Sequence, residues 1–373
     1  MSIKTFPHEL KENIPNFLRS LKKNDNIFSY FPVSTGVTKY GQKLELGFST
    51  YALKILFITG EWNDLKDEHK KNWISYLNSF QVEKSNYPKN SFIDNNYLDF
   101  FEEKKVSLFG KDIIKGLLNQ SLRGDYELTK NKITNSIRAE TKQCISTLYQ
   151  VGSKNKKNYD EFTDLNIDLF LNSFDWKKPW SAGAQFSALC VFLKTQTLDM
   201  QDYSSIRNEL IKFINEKVNT ETGGYYQGET PSFNQTINGA MKVLTGLDWI
   251  DEKIHYPEKL IDMCLLENPN NDGCDLVDIV YVLYRCSQES VYKRNDIVKY
   301  LENIYDLLLP HYFPKQGGFS YFLNKSQSNY YGVKISNGKN TPDLHGTLLL
   351  TWAIAMIDKI VNLEDSSLNI IKP

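Results

Sequence analysis

Two residues in this 373-residue chain sit where apolar neighbours make their chemistry conspicuous. Asp278 lies between Val277 and Ile279 in a run that reads as a buried helix. Past the first turn, helix capping no longer accounts for it. A carboxylate there must be paired, bound to a ligand, or shifted in pKa. His345 follows Asp343-Leu344 and precedes Gly346 in a strongly apolar segment. Histidine is the usual acid or base near neutral pH, and the glycine leaves room for a close approach. A core histidine bonded to a carbonyl is the plainer alternative. Trp352 lies two turns further along the same face.

Other polar residues open similar segments: Arg138 and Glu140, Trp180, Asn238 and Lys242, Asp275, and Asp343. Asp275 reads most simply as a helix N-cap. Asp343, after Thr341-Pro342, reads as a dipole-compensating acid in a helix capped by Thr341. Arg138 and Lys242 could hold an anion or neutralise Glu140 and Asp278. Cys274 precedes Asp278 by one turn, so Cys274, Asp278 and His345 form a candidate zinc set with an open position. Without a repeated Cys/His spacing that signal is weak, and Cys274 reads more simply as apolar filler. Tyr330 and Tyr331, on a long aromatic loop, are further proton-transfer candidates. No glycine-rich phosphate loop, G-x-S-x-G elbow or H-E-x-x-H motif is present.

These residues are positioned by a repeated pairing of elements. Six segments, beginning near Leu44, Asn135, Ser181, Thr236, Asp275 and Asp343, are apolar or small almost all round. Each is preceded by a helix with one polar face: 8–22, 66–81, 161–172, 203–218, 253–266 and 292–309. A helix apolar on every side must be buried. The expectation is an all-α (α/α)6 toroid, a double-ring helical barrel forming one domain over 1–373, with short β-like excursions in its long loops. In that arrangement the inner helices run in one direction. Their N-termini share one mouth and favour an anionic ligand. Residues 82–131 and 310–342 break the rhythm, and the second stretch reads as a lid or, equally, as a packed surface excursion.

Gly223-Gly224-Tyr225 and Gly317-Gly318-Phe319 precede the fourth and sixth apolar segments. With Leu276-Val277-Asp278 and Asp343-Leu344-His345-Gly346-Thr347, they resemble the α/α toroids of terpenoid cyclases and protein prenyltransferases. The resemblance covers most of the chain as architecture and about the last 150 residues as sequence. It implies a zinc-binding aspartate at Asp278 and a zinc-binding histidine at His345. The cysteine that follows that aspartate by two residues is here Val280, and the D-x-D-D motif of class II cyclases is absent. Similar toroids occur in polysaccharide lyases and glycosidases, where Asn, His, Tyr and Arg line the site.

Composition narrows the partners. The chain is 41% hydrophobic and 24% charged, with a formal net charge of −1 and no basic stripe, which argues against nucleic acid. Five cysteines, an odd number, suit a reducing compartment. The first residues carry no apolar targeting core, and the run Leu348–Ile357 is too short to span a membrane. The expectation is a cytoplasmic enzyme without an organic cofactor. It would use acid–base chemistry on a polar, anionic, sugar-containing small molecule or oligosaccharide, as a lyase, hydrolase or glycan-modifying enzyme. Prenyl-diphosphate chemistry and a non-catalytic ligand-binding toroid are the alternatives.

Overall fold

The computed structural model describes residues 3, 5–23, 28–121, 126–163, 165–362 and 367–373. Helices dominate. The paired strands among the described residues are three short hairpins: Gln81–Val82 with Ser91–Phe92, Tyr312–Phe313 with Gly318–Phe319, and Asn329–Tyr330 with Val333–Lys334.

Six buried helices carry the core: Leu46–Thr59, Thr129–Gln150, Pro179–Thr195, Phe233–Trp249, Gly273–Glu289 and Leu344–Val361. We call them the first to sixth inner helices. Each packs on the next, and the sixth packs on the first, so the contacts close into a cycle. All-round apolarity is the cause. In the first inner helix every residue except Phe57 is buried. The second begins at Thr129, nearly two turns before the expected start. The sixth is long and apolar enough to cross a membrane, yet 78% of it is buried inside the protein, where it closes the cycle.

The helices that precede them are amphipathic. Arg294–Leu308 buries Ile297, Tyr300, Leu301, Ile304, Tyr305 and Leu308, a stripe at helical spacing, and exposes Lys299, Glu302, Asn303 and Asp306. It packs on the fifth and sixth inner helices; Phe6–Leu21 packs on the sixth and first. Asp67–Asn78, Met200–Asn215 and Pro257–Cys264 fill the corresponding places on the first, third, and fourth and fifth inner helices. The helix expected over 161–172 is only Ile167–Asn172, and residue 164 lies outside the described residues.

Two helix caps also differ from expectation. Asp343, not Thr341, is the N-cap of the sixth inner helix. One of its oxygens accepts from the Gly346 amide at 2.7 Å, and the other from the amides of Tyr321 (2.7 Å) and Gln327 (3.0 Å). Its carboxylate is thus committed to backbone. Asp272, not Asp275, caps the fifth inner helix, accepting from the Cys274 and Asp275 amides at 3.1 and 3.2 Å.

Both long excursions are tied to the ring. From 82–131, of which 122–125 lie outside the described residues, Asp94 accepts the Glu45 and Leu46 amides at 2.6 and 3.2 Å. That satisfies amide groups that the first inner helix leaves open at its start. The 310–342 segment docks through backbone. Asp343 N–H donates to Phe319 O at 2.8 Å and Gly273 N–H to Tyr321 O at 2.8 Å. The close approach that Gly346 permits is made by this loop, since a Cβ there would collide with the Tyr321 backbone nitrogen. Gly346→Ala should therefore destabilise the protein by about 1–3 kcal/mol, read as a lower urea midpoint with an unchanged slope.

Candidate active site

The imidazole of His345 lies between two tyrosine rings. Tyr51 from the first inner helix stacks on it at 4.8 Å and 12°, and Tyr321 from the docked loop at 5.2 Å and 25°. Its Nδ1 is buried and has no hydrogen-bond partner. Burial, then the positive charges of Lys242 and Lys54, push its pKa down to about 3. The ring is neutral at ordinary pH and can accept or relay a proton only through a bound group.

Asp278 is 1% exposed, and its Oδ2 likewise has no partner. Burial drives its pKa up to about 7, against the pull of Lys242. It is thus poised to give or take a proton near neutrality. Lys242 acts on both Asp278 and His345, and Tyr321 feels both Cys274 and Asp278 while stacking on His345. Tyr51, Lys242, Cys274, Asp278, Tyr321 and His345 thus lie in one neighbourhood, some buried and some partly exposed.

Beside it, the Tyr330 hydroxyl donates to Glu140 Oε1. Gly47 lies directly against this pair, where a Cβ would occupy the hydroxyl's place. Glu140 is held well above the usual carboxylate range, by burial and then by Asp94. Leu44, Gly47, Asp94, Tyr97, Glu140 and Tyr330 are among the residues lining a cavity of about 10 Å³, room for roughly one water. Tyr331 and Gly332 form the two-residue turn of the last hairpin, with φ of +45° and +88°. Such turns need left-handed residues and favour Asn-Gly, so a tyrosine there is held against its backbone preference. The Tyr97 hydroxyl donates to its carbonyl at 3.2 Å. Burial, then Glu140, raises the Tyr331 hydroxyl pKa.

The remaining expected residues are dispersed. Arg138 pairs with neither Glu140 nor Asp278. Its Nε bonds Glu161 at 2.7 Å, its Nη1 donates to Gln185, and its guanidinium packs over Phe170 and Phe192. It lines an open cleft of about 660 Å³ with Asn131, Asn135, Lys178 and Gln185. Asn238 donates to Asp275 at 2.5 Å, and Asn270 donates to the other Asp275 oxygen at 2.7 Å. Trp180 is 47% exposed, with Lys242 Nζ 5.8 Å from its ring. Trp352 is a core residue, 2% exposed and 5.3 Å from Tyr281. Asp343 is the buried cap described above, its oxygens taken by backbone amides, whereas the Trp352 Nε1 is buried and has no hydrogen-bond partner.

No three His, Cys, Asp or Glu side chains converge to hold a metal among the described residues, so Cys274, Asp278 and His345 are not assembled as a zinc set. Burial also pushes the Cys274 thiol up to about 12, away from the thiolate a metal would take.

Sequence reasoning missed Tyr51, Lys54, Lys142 and Tyr321. Lys54 was within reach of the argument used for Asp278: it is the one charged residue in the apolar run Leu46–Thr59. It is 3% exposed, its Nζ donates to Gln143 Oε1, and burial lowers its pKa to about 7. Tyr321 gives no such signal, because its place depends on how the loop docks.

No family model and no curated protein matches the chain. Among solved structures, a polysaccharide lyase aligns with 98% of this chain and 99% of its own, at 12% identity and a TM-score of 0.46.

The Asp278 shift has a stability signature. Its folded-state pKa is raised from 3.8, so its favourable contribution is full below about pH 4 and is lost as pH rises through about 7. Asp278→Asn removes that loss. The variant should gain on the wild type by up to about 4 kcal/mol between about pH 4 and pH 8, read from denaturation midpoints across that range. A gap that does not change with pH would refute the shift.

Proposed function

We propose that this protein is an (α/α)6 toroid enzyme that carries out proton transfer on a polar, anionic, sugar-containing substrate. The carrying observation is the pair of enclosed, unpartnered atoms, His345 Nδ1 and Asp278 Oδ2, beside Lys242 and two tyrosines. A protein interior rarely leaves such atoms unsatisfied, and a substrate rich in hydroxyls would satisfy both. Asp278 is assigned the exchange of the proton, because its pKa lies near neutrality. His345 is assigned a neutral acceptor held in plane by Tyr51 and Tyr321. The Tyr330–Glu140 pair is assigned to orient the substrate at the mouth, with Tyr331 beside it, and Lys242 to meet its negative charge. The reading is supported by the contacts of these residues with one another across the inner helices and the 310–342 segment. All five cysteines are unpaired, which fits cytoplasmic residence.

The test is a panel of anionic oligosaccharides incubated with the protein and analysed by mass spectrometry. Cleavage without gain of water marks a lyase, and gain of water a hydrolase. Asp278→Asn and His345→Ala should each lower turnover by about 10²-fold or more while circular dichroism stays unchanged. Binding that persists undiminished in Asp278→Asn, with no turnover by the wild type, would instead mean a ligand-binding toroid.

A further inference from the structure

The helix Lys105–Ser121 lies inside out on the protein surface. No residue of 105–119 is buried. Its polar side chains hold it to the protein. Asp112 accepts from the Thr129 amide at 3.1 and 3.2 Å and from the Thr129 hydroxyl at 3.0 Å. Lys115 Nζ donates to the Glu127 carbonyl at 2.7 Å. Asn119 donates to the Tyr126 carbonyl at 3.0 Å and accepts from the Tyr126 amide at 2.8 Å. Leu108, on the same side, packs on the core. The opposite side is apolar and faces solvent. Val106 is 90% exposed, and Phe109, Ile113, Ile114 and Leu117 are each at least half exposed. At helical spacing these five share one arc of about 140°. An ordinary surface helix turns such a stripe toward the core, and a contiguous exposed apolar face marks an interaction site.

Lysines flank the stripe. Around the helix Lys105 lies beside Phe109 at one edge of the arc and Lys111 beyond Ile114 at the other; both are exposed. The helix's single acid, Asp112, is turned inward and taken by Thr129. An open cleft of about 410 Å³ continues the apolar surface through Tyr87, Phe101, Leu108 and Phe109, and adds Lys130. We propose that Lys105–Ser121 is a docking helix for an anionic lipid surface. The stripe enters the acyl boundary, and Lys105 and Lys111 meet the headgroup phosphates. An apolar face edged by lysines is the chemistry of a helix lying in the plane of a bilayer interface, and cytoplasmic leaflets carry the negative charge that it fits. Charge decides against a second copy of this chain. Two such faces laid together would bring Lys105 and Lys111 against the same lysines, with no acid of the helix turned outward to answer them. Glu102, which accepts from Lys105 at 3.2 Å, forms an exposed pair weak enough to yield to a headgroup. The inference is independent of the enzyme reading.

The test is co-flotation of the full chain with vesicles of phosphatidylcholine alone and of phosphatidylcholine with about one-third phosphatidylglycerol. The protein should float with the anionic vesicles, bind the neutral ones about fivefold more weakly or less, and be released as salt is raised. Phe109→Ser combined with Ile113→Ser should lower partitioning about tenfold or more. Lys105→Glu combined with Lys111→Glu should lower binding to anionic vesicles by a similar factor. None of these side chains is buried, so both double variants should keep the wild-type melting temperature. Phe109→Trp should emit further to the blue on anionic vesicles, as its indole leaves water. No flotation, equal binding to the two vesicle types, or undiminished binding by either double variant would overturn the proposal. So would a lipid-free dimer that the two serines dissolve, which would make the stripe a contact between copies.

Discussion

Closure of the ring, where Leu344–Val361 packs on Leu46–Thr59, is the contact on which the rest depends. It turns a chain of helix pairs into an enclosure. Groups facing inward then lose water, and their behaviour is set by burial before any neighbour acts. Burial is the leading cause of the shifts at Asp278, Glu140, His345, Lys54 and Lys142 alike. Acids rise and bases fall, so groups that would be strongly charged in water approach neutrality together. One architectural event thus shifts several titratable groups at once.

The sequence revealed the ring more readily than its contents. All-round apolarity at six segments and one-sided apolarity at the helices before them are local properties, and burial follows from them directly. Asp278 and His345 were visible for the same reason: each is a polar residue that its own helix cannot explain. Pairing was not visible. Arg138 finds Glu161, and Asp275 finds Asn238 and Asn270, through contacts between segments far apart in the chain. Capping was misread where the true cap lies outside the local pattern. Asp343 caps its helix and also receives two amides from the docked loop, so its role depends on tertiary contact. Tyr51 looks like any core aromatic until His345 is laid against it.

The docked 310–342 segment is as much a part of the enclosure as the helices are. It supplies Tyr321, Tyr330 and Tyr331, and it is held by backbone hydrogen bonds to Asp343 and Gly273. The glycines on the ring side, Gly47 and Gly346, are flat places against which a hydroxyl and a backbone nitrogen rest. Small residues here act as negative space: the absence of a side chain on the helix defines where the loop can sit.

The hairpin turn at Tyr331-Gly332 gives this loop an asymmetry between its two ends. Asn-Gly would fold that turn without help. A tyrosine in a left-handed backbone costs about 1–2 kcal/mol, recovered only while its ring stays buried beside Tyr97 and Glu140. The shape of the turn is therefore bound to what its tyrosine packs against, whereas the stem is fixed by its own backbone hydrogen bonds to the helix starts.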